Sequence, residues 1–128
     1  MERLVAERLK SRADFLRVQR GVRRSMSGLI LEACPTPEPA AKPGRCRVGF
    51  TASRKVGGAV ARNRAKRRLR EAARAVLPVS GRDCTDYVLV ARKATLERSF
   101  DRLIADLASA VAAAHLRLGA GENRDDSR

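Results

Sequence analysis

The run from Arg62 to Arg74 holds seven basic side chains, at positions 62, 64, 66, 67, 68, 70 and 74, with Glu71 as its only acid and Asn63 set among them. Guanidinium and ammonium groups at this density neutralise phosphates and release counterions, giving affinity for a polyanion with little sequence information. Asn63 adds a donor and an acceptor suited to a sugar or base edge. Like charges so closely spaced repel one another unless a polyanion is present, so the run reads as a binding surface rather than a solvated face. Other chemistries lack their materials. A self-sufficient protein nuclease needs clustered carboxylates for Mg²⁺ or a histidine-based acid–base pair. Asp83 and Asp86 fall at a loop edge, and His115, the single histidine, lies without a partner in an Ala-rich stretch, as a surface or packing residue. Cys34, Cys46 and Cys84 form no CxxC pair, which argues against a closed disulfide framework or a zinc site. Cys46 reads as core and the other two as incidental thiols.

The rest of the chain sets this run in context. There are 128 residues, 28 Lys and Arg against 14 Asp and Glu, and a net charge of +14. Residues 42–74 alone carry a net +11 and residues 1–24 a net +5, while residues 25–41 are slightly acidic and residues 75–128 are balanced. The bias towards Arg suits bidentate phosphate contacts, although a GC-rich genome also produces one. A hydrophobic content of 44% supports one folded domain. No apolar run reaches the roughly 20 residues of a membrane span, and Met1–Arg8 lacks the apolar stretch of a secretory signal. A cytoplasmic protein without a membrane partner is expected.

Hydrophobic periodicity supplies the elements that position these groups. Ser11-Arg12-Ala13-Asp14 resembles a capping box that opens a short helix, with Gly21 as its stop. Leu29-Ile30-Leu31 predicts a strand, and the Pro-rich stretch 35–44 a loop between paired strands. From Arg45 to Ala52 the pattern alternates, with Cys46, Val48, Phe50 and Ala52 facing a core and Arg45, Arg47, Gly49 and Thr51 on a basic face. Gly57-Gly58 admits a helix whose apolar stripe is Ala61, Ala65, Leu69, Ala72, Ala73 and Val76, ended by Pro78. Tyr87–Ala91 reads as a central strand. Thr95 is placed as the cap of a last helix that stops at Gly119, with 120–128 as a flexible tail and 1–119 as the domain.

The block Arg45-Cys46-Arg47-Val48-Gly49-Phe50-Thr51-Ala52-Ser53-Arg54-Lys55-Val56-Gly57, followed by Ala59-Val60-Ala61-Arg62-Asn63-Arg64-Ala65-Lys66-Arg67, resembles the signature of the bacterial ribonuclease P protein components. Ser-Arg-Lys stands where Ser-Lys-Lys is usual. The resemblance covers roughly residues 8–93 and includes Arg8-Leu9-Lys10 and Asp86–Lys93. It implies an α+β, two-layer sandwich in the order αβββαβα, with a mixed four-stranded sheet and a left-handed βαβ crossover. Residues 53–56 are then expected to supply the third strand. It also implies an endoribonuclease whose catalytic RNA, with Mg²⁺ held mainly by that RNA, removes the 5′ leader of precursor tRNA. The expected partners are that RNA and precursor tRNA, with no protein partner required and no catalytic or metal-binding residue on the chain.

On that resemblance Arg54, Lys55, Arg62, Asn63, Arg64, Lys66, Arg67 and Arg70 meet the catalytic RNA, and Arg8, Phe15, Ile30, Thr51 and Arg92 line a leader cleft. Gln19 and Glu32 stand where the family usually has aromatics. Thr51 shares the Arg45–Arg47 face by alternation, and Val90 and Arg92 share a parity, so both fit one groove. The competing reading is a ribosomal-type protein that binds structured RNA without a role in cleavage. Anionic membrane surfaces fit less well, because the basic helix pairs Arg with small Ala rather than bulky apolar anchors. Charge alone does not exclude duplex DNA, and preference for folded RNA over duplex DNA at matched salt separates the two.

Overall fold

The computed structural model describes the backbone of residues 3–126 and the side chains of residues 3–119. The elements run β1 (Val5–Arg8), α1 (Arg12–Gln19), β2 (Val22–Ser25), β3 (Leu29–Pro35), β4 (Arg45–Thr51), a 3₁₀ turn (Arg54–Val56), α2 (Ala59–Ser80), β5 (Thr85–Ala91), α3 (Lys93–Glu97) and α4 (Phe100–Asp126). The sheet order is β1-β4-β5-β3-β2, with β1–β4 and β4–β5 parallel and the other pairs antiparallel. This is the mixed α+β architecture expected, with a fifth strand added at the edge.

Alternation divides the sheet into two faces. Leu29, Leu31 and Ala33, Cys46 and Val48, and Tyr87, Leu89 and Ala91 point to one side, where they form the main core with Leu69, Val76 and Leu77 of α2 and Leu103, Leu107 and Val111 of α4. The opposite parity places Cys34 and Val88 against Leu9 and Val18, with Phe15 and Val90 packed alongside. Helix α1 therefore covers part of the second face and leaves the rest open. Its start is set by Ser11, whose side chain accepts the Asp14 N–H at 3.0 Å.

Several expectations are corrected. The third strand before α2 is Val22–Ser25, not residues 53–56: the Ser53 side chain accepts the Lys55 N–H and turns that segment into 3₁₀ geometry. The loop after Pro35 does not join paired strands, because β5 lies between β3 and β4. Cys84 ties these segments together, accepting from Thr36 N–H and donating to Arg45 O, both at 2.8 Å. Pro78 lies inside α2, which continues to Ser80 and caps at Gly81. Thr95 caps no long helix. It is buried in α3, where its hydroxyl donates to Gly28 O and accepts the Arg92 N–H. Helix α4 is separate and passes through Gly119. The expected tail at 120–128 falls on residues whose side chains lie outside the described set.

Candidate nucleic-acid interface

Burial of Ala65, Leu69, Ala72, Ala73 and Val76 fixes the rotation of α2 and leaves its polar side outward. Asn63, Arg64, Arg67 and Arg70 are exposed, and Arg62 and Lys66 are partly so. Arg54 and Lys55 stand exposed on the 3₁₀ turn just before the helix. Among the described residues, none of Arg54, Lys55, Arg62, Arg64, Lys66 and Arg67 forms an ion pair, and Arg70 lies over the Phe50 ring at 5.5 Å. Arg68 differs from its neighbours, because its guanidinium turns inward to donate to Arg98 O. The eight positions expected to meet RNA thus put seven cations and Asn63 at the surface, on α2 and the turn just before it.

The strand arginines behave otherwise. Arg47 binds Asp86 through two parallel hydrogen bonds, Nε to Oδ1 at 2.8 Å and Nη2 to Oδ2 at 2.7 Å. Arg17 of α1 donates to the same carboxylate at 2.5 Å, and Thr36 donates its hydroxyl at 2.7 Å. Asp86 is fully buried, not at a loop edge. Burial raises its pKa, but the hydrogen bonds from Arg47, Arg17 and Thr36 outweigh that and hold it below the usual aspartate range. Arg45 pairs with Glu7 at 2.5 Å. The face read as basic from the Arg45–Arg47 alternation is therefore neutralised within the fold, whereas Arg54, Lys55, Arg62, Arg64, Lys66 and Arg67 carry no such pairing.

Beside α1, on the open face, runs a groove of about 330 Å³. Phe15, Leu16 and Gln19 form its helical wall, while Glu32, Thr51, Val88 and Val90 form its floor. Phe15 is half-buried, its ring lying where a side chain on Gly49 would otherwise project. Gly49→Ala is expected to cost about 1–3 kcal/mol by driving a methyl into that ring, read as a lower urea midpoint. Glu32 is buried, and cross-strand pairing brings Arg23 to it at 3.0 Å. Its pKa is raised by burial, against the pull of Arg23. Ile30 pairs with Val90 and prolongs the floor towards β2. Arg92 is exposed beyond Val90, its guanidinium donating to Ser25 Oγ at 3.1 Å and Met26 O at 2.7 Å.

Of the residues expected in the cleft, Phe15 and Thr51 line this groove and Ile30 and Arg92 extend it. Arg8 does not: it lines a larger groove, about 660 Å³, between β1, β4 and α2. The sequence offered no signal for Leu16, Arg12 or Arg23 as groove residues. His115 also has a partner that was not anticipated, Tyr87, whose hydroxyl lies 2.6 Å from Nε2. Burial lowers the His115 pKa and raises that of Tyr87, so both are neutral at pH 7.

Among the described residues, no three His, Cys, Asp or Glu side chains gather as a metal site, and no helix is long and apolar enough to cross a membrane. Asp86, the most buried acid, has both oxygens occupied by arginines and Thr36. These residues do not fit a Mg²⁺ ion held by the protein itself.

A family profile described as Ribonuclease P matches residues 5–115. The ribonuclease P protein component of Paramagnetospirillum magneticum is 50% identical over 107 residues, spanning 82% of this chain and 80% of that protein. That of Ruegeria pomeroyi is 49% identical over 108 residues, spanning 84% and 85%. The structure is similar to that of the RNase P protein from Staphylococcus aureus, with a TM-score of 0.66, 25% identity, and 84% of this chain and 94% of that one covered. The Thermotoga maritima RNase P protein gives a TM-score of 0.64 at 26% identity, covering 82% and 94%. With sequence kinship and fold in agreement along the whole matched stretch, the chain belongs to the family of ribonuclease P protein components.

Proposed function

We propose that this protein subunit of ribonuclease P divides its two RNA contacts between two surfaces. The exposed side of α2, with Arg54 and Lys55, holds the catalytic RNA, and the groove beside α1 holds the unpaired 5′ leader of precursor tRNA. The observation that carries this reading is the pattern of pairing: among the described residues Arg54, Lys55, Arg62, Arg64, Lys66 and Arg67 have no internal acid, whereas the strand arginines are spent on Asp86 and Glu7. Unpaired cations on a rigid helix give affinity through phosphates. The open groove instead offers an aromatic ring, an aliphatic floor and a few polar groups, which suits unstacked bases. Mg²⁺ supplies the hydrolytic chemistry and is assigned to the RNA. The chain's own part is to hold leader and RNA together in a cytoplasmic ribonucleoprotein that yields mature tRNA 5′ ends. A ribosomal-type role without cleavage is not favoured, since the relatives bear the ribonuclease P name.

The test is reconstitution with the catalytic RNA at low Mg²⁺, comparing precursors with several leader nucleotides and RNA with none. Phe15→Ala is expected to weaken binding by about 1 kcal/mol, the lower end of the stacking range, for leader-bearing precursor only. Gln19 and Glu32 set that lower end, since neither offers a second stacking face. Equal losses with and without a leader would place Phe15 on the catalytic RNA or in the core alone.

A further inference from the structure

The larger groove, between β1, β4 and α2, lies between the two surfaces described so far and shares Lys66 and Arg70 with one and Phe15 with the other. Its floor is apolar, formed by Ala6, Val48, Phe50, Ala73 and Pro78, and the ring of Phe15 closes one end. Its rim is cationic, with Arg8 and Lys10 on the β1 side and Lys66, Arg70 and Arg74 on α2. The acids nearby are already engaged, Glu7 by Arg45 at 2.5 Å and Glu71 by Arg74 at 3.2 Å. A volume of about 660 Å³ lies in the range of small-ligand sites and is twice that of the groove beside α1.

We infer that this groove receives an unpaired nucleotide of the catalytic RNA, its base on the apolar floor and its phosphates on the rim. Unpaired bases stack on aromatic rings or on guanidinium planes, and the Arg70 guanidinium, backed by the Phe50 ring at 5.5 Å, offers such a plane at the edge of the floor. The choice of RNA follows from helix geometry. Positions four apart share a ridge, so Arg62, Lys66, Arg70 and Arg74 form one cationic row, and its last three members edge the groove. An RNA backbone docked along α2 is thereby led into the groove, while the Phe15 ring stands between it and the leader groove, which it also lines. The inference rests on the assignment of α2 to the catalytic RNA.

The experiment uses the full chain with the intact catalytic RNA and no precursor. Arg8→Ala/Lys10→Ala removes two exposed rim cations that lie off α2, and Arg102→Ala/Arg117→Ala on α4 removes the same charge elsewhere. The rim pair is expected to lose about tenfold in affinity and to flatten the salt slope by roughly 1.4, whereas the α4 pair stays within about twofold. With Lys10→p-benzoylphenylalanine, photocrosslinks should map to one unpaired segment of the catalytic RNA in the holoenzyme. Wild-type affinity in the rim pair, while Arg64→Ala/Arg67→Ala loses binding, would overturn the groove and leave the α2 assignment standing. Wild-type affinity in both would overturn the α2 assignment itself. Equal losses in the rim and α4 pairs would reduce the effect to net charge. Crosslinks to the leader, or none to RNA, would reject the named occupant.

Discussion

Replacing Arg62, Arg64, Lys66 and Arg67 together with Ala is expected to lower affinity for the catalytic RNA by about a hundredfold or more at physiological salt. All four lie on the outward side of α2, and among the described residues none has an acid to pair with. Their cost to folding is therefore small, and Ala is itself a strong helix former, so the melting temperature should hold or rise. Each lost phosphate contact should also flatten the dependence of log affinity on log salt by about 0.7–0.9, close to three units for the set. Filter binding across a salt series reads both quantities. Unchanged affinity with an unchanged slope would remove α2 from the interface.

The second large effect concerns stability. Asp86→Asn is expected to destabilise the fold by about 3 kcal/mol, the lower end for breaking a buried pair, because Arg17 keeps 31% of its side-chain surface in water. An amide in place of the carboxylate turns one donor towards a guanidinium and leaves Arg17 and Arg47 with only the more exposed Asp14, at 2.9 and 3.5 Å, as a counter-charge. The same group sets a pH limit. Its folded pKa lies below the ordinary value near 3.8, so its contribution is complete above that pH and is lost as pH falls through the folded value. Urea denaturation from pH 7 to pH 3 should show the wild type losing stability at the acid end and Asp86→Asn losing less. Because Arg17 latches α1 to the sheet through Asp86, the variant should also weaken leader binding more than binding of the catalytic RNA.

The features legible in the sequence were those written in short-range periodicity. The Ala61–Val76 stripe oriented α2 correctly because its partners lie three or four residues away and its buried side chains are all apolar. The alternation of Arg45–Thr51 likewise placed Thr51 on the open face. What escaped was set by distant partners. β2 reads Val-Arg-Arg-Ser and β1 Val-Ala-Glu-Arg, sequences with little strand propensity of their own; each is extended because β3 or β4 offers a free edge. Asp86 looked like a loop residue because its ligands lie at Arg17, Thr36 and Arg47, far along the chain. The same pairing emptied the basic face that alternation had assigned to the strand. The family resemblance groups Arg8 with Phe15 and Thr51; Arg8 and Phe15 do share the larger groove, whereas Thr51 lies in the smaller one on the other side of the Phe15 ring.

The two outermost strands carry a consequence for solubility. β1 and β2 are each four residues long, and their sequences include Glu7, Arg8, Arg23 and Arg24. Short, charged borders make poor templates for strand addition by a second copy. A chain of net charge +14 is drawn to RNA, and bridging by RNA would bring several copies close together. Borders that refuse to zip keep such crowded copies from fusing into extended sheets, so each remains free to be claimed by its own RNA.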